Sequence, residues 1–295
     1  MKKVISILII TCLLLTLSGC GGQSDNQIVI ASKPMSEQFI IVEMLTALVE
    51  ENTDIQVDQR MGIGGGTSNI HPAMMAGEID VYPEYTGTGW LFVLQEELIN
   101  DPDQLYQEVK DAYLQEFNIK WLDPYGFNNT FALAVRKETA EKYNMTTYSD
   151  LAAVSEELVF GAEYDFYERD DGLPGLQEVY GFSFKNEVEM DIGLKYEAIG
   201  SKRVDVINAF STDGLLLEYD LVVLTDDQFF FPSYHAATLV RAETLEKFPE
   251  LEVVLNMLSN LITDDDMIRL NYLVDKENQD PREVAREFLK EKGLL

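Results

Sequence analysis

Aromatic side chains collect beside predicted turns of this sequence, and not only within predicted helices. Four such runs stand at 82–90 (YPEYTGTGW), 123–126 (DPYG), 210–214 (FSTDG) and 229–234 (FFFPSY). The face of an aromatic ring carries negative charge density, so several rings around one cavity can hold a quaternary ammonium, at ~0.5–1 kcal/mol per exposed contact and ~2 kcal/mol or more when desolvated. For any single ring, packing in the core is the commoner role. Only the cluster at strand ends favours a cation box.

A glycine-rich segment, Gly62 to Gly66, could hold an anion. It lacks the Lys of a phosphate loop, and Thr67 stands where a dinucleotide fingerprint needs a further Gly. What remains is a tight turn into a helix N-terminus, whose free N–H groups would suit a small carboxylate. A plain left-handed turn explains the spacing equally well.

Catalytic and metal-binding patterns are not evident in the sequence. The two histidines, His71 and His235, have no Cys, His or Glu at metal-ligand spacing, and no Gly-x-Ser-x-Gly elbow occurs. With 52 Asp and Glu residues, pairs of carboxylates are expected by chance. We therefore expect a binding protein without metal or cofactor, and not an enzyme.

Alternating strands and helices must position these residues. The strands are predicted at 27–32, 55–58, 79–82, 131–135, 158–162, 220–224 and 235–241, and the helices at 36–48, 67–76, 103–118, 138–143, 149–154, 243–262 and 281–292. Such alternation predicts α/β sheets that bind ligands at the carboxyl ends of their strands.

The length of 295 residues exceeds what a single core comfortably organises. We predict a first lobe from 27–126 and 231–295 and a second lobe from 127–230. Two crossover segments between the lobes would act as a hinge, and the cleft between lobes is a common place for a small-molecule site.

The N-terminus carries the features of an export signal. Lys2 and Lys3 precede an apolar run at 4–17, which is short for a transmembrane helix and suits a signal peptide. Small residues then lead directly to Cys20, a pattern that resembles a lipobox. We expect cleavage after residue 19, lipidation of Cys20 and a flexible tether at 20–26.

The charge and the cysteine count narrow the partners. A formal net charge of −30 argues against nucleic acid and would repel an anionic membrane surface, so the lipid alone would hold the chain at the cell membrane. Attraction of a cationic ligand is a weaker interpretation of this acidity than a well-solvated surface. The two cysteines, Cys12 and Cys20, leave no disulfide in the processed chain, which we expect to be a monomer.

Six segments of the sequence closely resemble the glycine betaine/carnitine/choline (osmoprotectant) binding proteins of ABC importers. They are IASKPMSEQ (30–38), GGGTSNIHPAMMAGEIDVYPEYTGTGW (64–90), DPYGFNNTFALAVRK (123–137), RDDGLPGL (169–176), AFSTDGLLLEYDLVVLTDDQFFFPSY (209–234) and LNYLVDKENQDPREVAREFLKEKGL (270–294). The resemblance spans essentially the whole processed chain. It implies a two-lobed periplasmic-binding-protein fold of type II, with the ligand in the cleft, an extracytoplasmic location and ABC permease subunits as partners.

The resemblance also implies a set of ligand-binding residues. Those of the aromatic cage are Tyr85, Tyr125, Phe210 and Tyr234, where Phe210 stands at a position usually held by Tyr. Asp123 resembles the acidic residue that faces the trimethylammonium. Lys33, Thr88 and Arg169 resemble the residues that hold a ligand carboxylate, a role that their cations and hydroxyl suit.

Ser68 stands where the family carries either a hydroxyl or an acidic residue, and its hydroxyl favours a carboxylate-bearing betaine over choline. Asn69 and His71 depart from the pattern of glycine betaine binders and leave room for carnitine or a histidine betaine. Two other hypotheses stay open. One is the same fold with another methylated amine or an amino-acid-like solute, and the other is an enzyme or a structural envelope protein.

Overall fold

The computed structural model describes residues 26–167, 172–190 and 194–295. Ten strands lie in these ranges: β1 Gln27–Ala31, β2 Gln56–Arg60, β3 Val81–Tyr85, β4 Ile119–Asn128, β5 Phe131–Arg136, β6 Val159–Glu163, β7 Asn186–Met190, β8 Val206–Phe210, β9 Leu221–Val223 and β10 His235–Arg241. The predicted signal peptide at 1–19, Cys20 and most of the tether lie outside the described residues.

The α-helices of the described residues alternate with these strands. They are α1 Ser36–Asn52, α2 Thr67–Met75, α3 Pro102–Phe117, α4 Lys137–Tyr143, α5 Tyr148–Ala152, α6 Leu173–Tyr180, α7 Lys195–Gly200, α8 Leu215–Glu218, α9 Ala242–Lys247, α10 Glu250–Leu255, α11 Asp264–Asp275 and α12 Pro281–Glu291. A π-helical segment covers Thr88–Leu94, and single 3₁₀ turns cover Ser155–Glu157, Tyr164–Tyr167 and Asn256–Leu258. None of the described helices has the length and apolar character needed to cross a bilayer.

The strands form two sheets of the same design, which build the two lobes. The first sheet has the order β2-β1-β3-β10-β4 and the second the order β7-β6-β8-β5-β9. In each sheet three strands run parallel, as strand–helix–strand units require, and a fourth strand, β10 or β5, pairs antiparallel with both its neighbours. The predicted α/β class and two-lobed architecture are confirmed.

Apolar layers cover both faces of each sheet. On the first sheet, one face packs against α1, α10, α11 and α12, and the other against α2 and α3. On the second sheet, two further clusters lie on opposite faces. Strands buried on both faces need apolar side chains throughout, and accordingly the apolar runs of β1, β5 and β10 lie inside their sheets, whereas β2 and β9 lie at the edges.

Several elements differ from the sequence-based prediction, which includes no strand at β4, β7 or β8 and no helix at α6, α7, α8 or α11. The helix predicted at 243–262 is divided into α9, α10 and a 3₁₀ turn, because Pro249 lacks an N–H and holds Phe248 in an extended conformation (φ −132°, ψ 75°). Residues 123–126, predicted as a turn, lie within one continuous strand, β4, that pairs with β10 with register shifts.

The chain passes between the lobes at two adjacent places. Asn129 and Thr130 join β4 to β5, and the return segment Pro232–Tyr234 leads into β10. The two segments are bonded to each other: the Asn129 N–H donates to the Tyr234 carbonyl at 3.2 Å, and the Tyr234 N–H donates to Asn128 Oδ1 at 2.7 Å. These paired crossings lie beside the cavity between the lobes, which Asn129 and Tyr234 help to line.

Candidate functional site

A cavity of about 880 Å³ opens between the two lobes, beside the crossing segments. Its first-lobe wall comes from the carboxyl ends of β1 and β3 and the N-terminus of α2, and its second-lobe wall from the start of β5 and the end of β8. The lining residues are Lys33, Met35, Gly65, Thr67, Ser68, Tyr85, Gly87, Thr88, Leu91, Phe92, Asn129, Phe131, Phe210 and Tyr234. This is the location that the α/β alternation predicted.

Aromatic rings line the cavity from both lobes. Phe131 and Phe210 are paired across β5 and β8, with ring centroids 4.9 Å apart and planes inclined by 30°. Tyr85 and Tyr234 line the first-lobe side. Three of the four predicted cage residues therefore meet at one cavity, together with Phe131, which the sequence analysis did not select.

The hydroxyl of Tyr85 is held from two sides by consecutive residues of α1. Gln38 Nε2 donates to it at 3.2 Å, and it donates to Glu37 Oε1 at 2.6 Å. Burial, followed by the nearby Glu37 charge, raises the pKa of Tyr85 well above its ordinary value, so the phenol stays neutral. The hydroxyl end of the ring is thereby anchored to α1.

Lys33 lies at the same wall and is already paired. Its Nζ forms an ion pair with Glu84, a carboxylate of β3 that has no exposed surface. Glu84 also accepts a hydrogen bond from Thr67 Oγ1 at 2.8 Å and from the Tyr85 N–H at 2.9 Å. The ammonium has three donors and lies 4.9 Å from the centroid of the Tyr85 ring, so it offers further hydrogen bonds to an anion in the cavity.

The glycine-rich segment forms the turn that precedes α2. Gly65 has a φ of +80°, and an added Cβ would lie 2.4 Å from Asn69 Nδ2. Asn69 in turn donates to the Gly64 carbonyl at 2.6 Å. The turn brings Thr67 and Ser68 to the cavity at the helix N-terminus, where the first N–H groups have no intrahelical acceptor.

Thr88 begins the π-helical segment and lines the opposite side of the first-lobe wall. The preceding Gly87 permits a close approach, because an added Cβ would lie 2.7 Å from the Tyr234 ring and 2.9 Å from the Ser233 carbonyl. The YPEYTGT motif therefore supplies a ring, a hydroxyl and the gap into which the return segment fits.

Two predicted site residues, Tyr125 and Asp123, do not line the cavity. Tyr125 is 1% exposed, packs against Phe127 and shares a 2.6 Å hydrogen bond with Thr238. Asp123 is exposed, and its N–H donates to Asn256 Oδ1 at 3.1 Å. The cause is β4: both residues lie in the middle of this strand and not in a loop at its end.

Arg169, the remaining predicted carboxylate ligand, lies outside the described residues. His71 is buried between the rings of Tyr113 and Phe117, and burial lowers its pKa, so it stays neutral. No group of three or more His, Cys, Asp or Glu side chains that could hold a metal ion occurs within the described ranges.

Comparison with known proteins gives concordant results. A family model for the substrate-binding domain of the ABC-type glycine betaine transport system matches residues 26–291. An ergothioneine transport permease/ergothioneine binding protein of Helicobacter pylori is 43% identical over 92% of this chain, which spans only 48% of that relative. A carnitine transport binding protein of Listeria monocytogenes is 37% identical over 95% of this chain and 91% of the relative.

A solved structure agrees with these relatives. The crystal structure of a glycine betaine/carnitine/choline ABC transporter protein superposes with a TM-score of 0.86 at 36% identity, covering 90% of this chain and 99% of that one. The fold and the sequence thus point to one class of protein.

Proposed function

This chain belongs to the family of substrate-binding domains of ABC-type glycine betaine transport systems, and on that premise we propose that it captures a zwitterionic quaternary amine in the cavity between its lobes. As a substrate-binding protein of an ABC importer, it acts on the extracytoplasmic side of the membrane and delivers its ligand to permease subunits. The observation that carries the proposal is the meeting of Tyr85, Phe131, Phe210 and Tyr234 at a cavity that also holds Lys33.

The aromatic walls supply the recognition of the ammonium end. A trimethylammonium cannot donate hydrogen bonds, so it gains little from carboxylates alone, whereas ring faces attract its charge and pack against its methyl groups. Phe131 and Phe210 carry no hydroxyl that would have to be satisfied on burial. We propose that these two rings and Tyr85 and Tyr234 close around the cation when the lobes approach each other.

The polar residues suit the carboxylate end of the same ligand. Lys33 offers an ammonium, Ser68 and Thr88 offer hydroxyls, and the N-terminus of α2 offers free N–H groups within the same lining. We propose that they bind the carboxylate, with Arg169 as a further donor. A ligand with both charges is favoured over choline, which has a hydroxyl but no anionic group to pair with this set.

A betaine that carries an additional ring is a second candidate within this class. Pockets of ~300–1,000 Å³ enclose drug-sized ligands, so a cavity of about 880 Å³ admits more than the smallest betaine. The 43% identity to a protein named for ergothioneine, a histidine-derived betaine, supports testing such ligands.

Isothermal titration calorimetry with matched ligand pairs tests the proposal. Glycine betaine, carnitine, choline and ergothioneine are compared with glycine and histidine, which have primary ammonium groups. We expect at least one carboxylate-bearing quaternary amine to bind with a Kd near 1 µM, about −8.2 kcal/mol, and the primary amines to bind far more weakly. Tighter binding of glycine or histidine than of every methylated ligand would contradict it.

We further propose that residues 1–19 are removed, that Cys20 carries a lipid and that the monomeric binding domain is anchored through it. In a metabolic labelling experiment with radioactive palmitate, the wild-type protein should incorporate label and the Cys20→Ser variant should not. Release of the wild-type protein from membranes by high salt alone would argue against the anchor.

A further inference from the structure

A buried carboxylate lies directly behind the aromatic wall of the cavity. Glu37, the second residue of α1, is 3% exposed. It accepts hydrogen bonds from the Tyr85 hydroxyl at 2.6 Å, from Asn129 Nδ2 at 2.9 Å and from Asn271 Nδ2 at 3.3 Å. The Thr212 side chain also bonds to it.

Burial raises the pKa of Glu37 above its ordinary value, and the hydrogen bonds from its four partners oppose that rise by favouring the charged form. The tyrosine hydroxyl and both amide groups donate to it. The side-chain oxygens of Asn129 and Asn271 are buried without a hydrogen-bond partner, so both amides direct their N–H groups to Glu37 at the cost of their own acceptors. Such an arrangement stabilises an ionised carboxylate, which is acceptor-only, and not a protonated acid.

The charge acts on the cavity through Tyr85. Because Gln38 Nε2 donates to the Tyr85 hydroxyl, the phenol proton is left to point at Glu37. A hydrogen bond to a carboxylate is stronger than one to a neutral acceptor. It draws the proton away from the phenol oxygen and increases the electron density of the ring, which strengthens its attraction for a cation.

Glu37 is hydrogen-bonded to residues of both lobes as well as to Tyr85. Asn129 lies in the crossing segment between β4 and β5, and Thr212 follows β8 in the second lobe. Asn271 belongs to α11 of the first lobe and additionally donates to the Thr212 carbonyl at 2.9 Å. One carboxylate therefore links a ligand-facing ring, a crossing segment and the opposing lobe.

We propose that Glu37 is a specificity-determining positioning residue, which acts through the Tyr85 hydroxyl to make this wall selective for cations. It does not touch the ligand, and its effect requires the cationic ligand of the proposed function. Glu37→Gln preserves shape and removes the charge, and Tyr85→Phe removes the hydroxyl through which that charge acts.

A double-mutant cycle measured by calorimetry tests the proposal. The probes are glycine betaine, carnitine and ergothioneine, and the control is Glu50→Gln, the same change at an exposed site of α1. We expect Glu37→Gln to weaken binding roughly tenfold and to add less than about twofold in the Tyr85→Phe background. Equal effects in both backgrounds, or none in either, would overturn it.

A ligand-free measurement separates this proposal from the proposed function. The ¹³Cζ resonance of Tyr85, assigned by its loss in Tyr85→Phe, reports the polarisation of the phenol. We expect it to shift in Glu37→Gln and not in Glu50→Gln. An unchanged resonance overturns the role of Glu37 whether or not a ligand binds, whereas a shifted resonance in a protein that binds no quaternary amine supports that role and contradicts the function.

Discussion

Single residues give the cavity two kinds of lining, aromatic rings and a lysine ammonium. The second lobe contributes Phe131 and Phe210, rings without hydroxyls, while the first lobe contributes Tyr85 together with Lys33 and its ion pair to Glu84. Under the proposed function, Tyr85 and Tyr234 of the first lobe share the cation with these two rings, and Lys33 pairs with the carboxylate. We therefore expect tight binding to require both a methylated ammonium and a carboxylate.

Phe210 provides the most direct test of the cation box. Phe210→Leu keeps an apolar side chain of similar size but removes the ring face, so we expect affinity for a quaternary amine to fall by ~1.5–2 kcal/mol, more than tenfold. Phe210→Tyr should stay within a few-fold of wild type. Calorimetry with the tightest ligand of the panel checks both. If Leu binds as well as Phe, the ring contributes only volume and the cation box is refuted.

Tyr125 is expected to affect stability and not binding. Tyr125→Phe removes the buried hydrogen bond to Thr238 and leaves the Thr hydroxyl without that partner, a loss of ~1–2 kcal/mol in the free energy of unfolding. Because the ring lies in the core, the Kd of the folded protein should not change. Urea unfolding and calorimetry on the same samples measure the two quantities, and a tenfold weaker Kd would restore Tyr125 to the site.

The turn before α2 is the element that makes the polar half of the cavity. Gly65 has a positive φ and a Cβ position 2.4 Å from Asn69 Nδ2, whereas nothing lies within 4 Å of a Cβ at Gly64. We expect Gly65→Ala to destabilise the protein by ~1 kcal/mol or more and to weaken ligand binding by displacing Thr67 and Ser68.

Gly64→Ala is the matched control for that turn. It introduces the same methyl group one residue earlier, at a position without a positive φ. Thermal unfolding and calorimetry should show little change for this variant. Identical losses in both variants would mean that the turn as a whole, and not the geometry at Gly65, determines the site.

How well the elements could be predicted from sequence depended on whether local signals decided them. The strand at 131–135 and the helix at 138–143 have local apolar patterns, and the structure contains them as β5 and α4. The long helix at 243–262 is broken by Pro249, a local signal that its apolar periodicity outweighed. Strand β4 forms because β10 pairs with it from more than a hundred residues away, and no local pattern reveals that pairing.

The same distinction explains which residues of the candidate site could be predicted from the sequence. Tyr85, Phe210 and Tyr234 lie at the ends of motifs that resemble a family, and the structure brings them to one cavity. Phe131 is next to Phe210 only through the antiparallel register of β5 and β8, which cannot be derived from the sequence without knowing that these strands pair. Tyr125 does not line the cavity, because its DPYG motif, which suggests a turn, lies within strand β4.

The whole molecule carries a formal charge of −30, whose effect on a charged ligand at a distance can be measured. A choline cation should be attracted from a distance, whereas a zwitterion such as carnitine has no net charge to attract. Raising the ionic strength from 10 mM to 150 mM shortens the Debye length from ~30 Å to ~8 Å. We expect the association rate of choline to fall over this range and that of carnitine to stay within about twofold, as measured by stopped-flow fluorescence. Equal salt dependence of the two rates would exclude long-range steering.

The arrangement of the two sheets also determines the order in which the chain can fold. The second sheet is complete once residue 223 is available, because β5 to β9 are contiguous in the chain. The first sheet is not, since β4 pairs in it only with β10, which ends at Arg241. Closing such a distant pair costs loop entropy that local pairs avoid. During synthesis, the second lobe can therefore reach its native state first, while the first lobe, which contains both ends of the described chain, waits for its last strand.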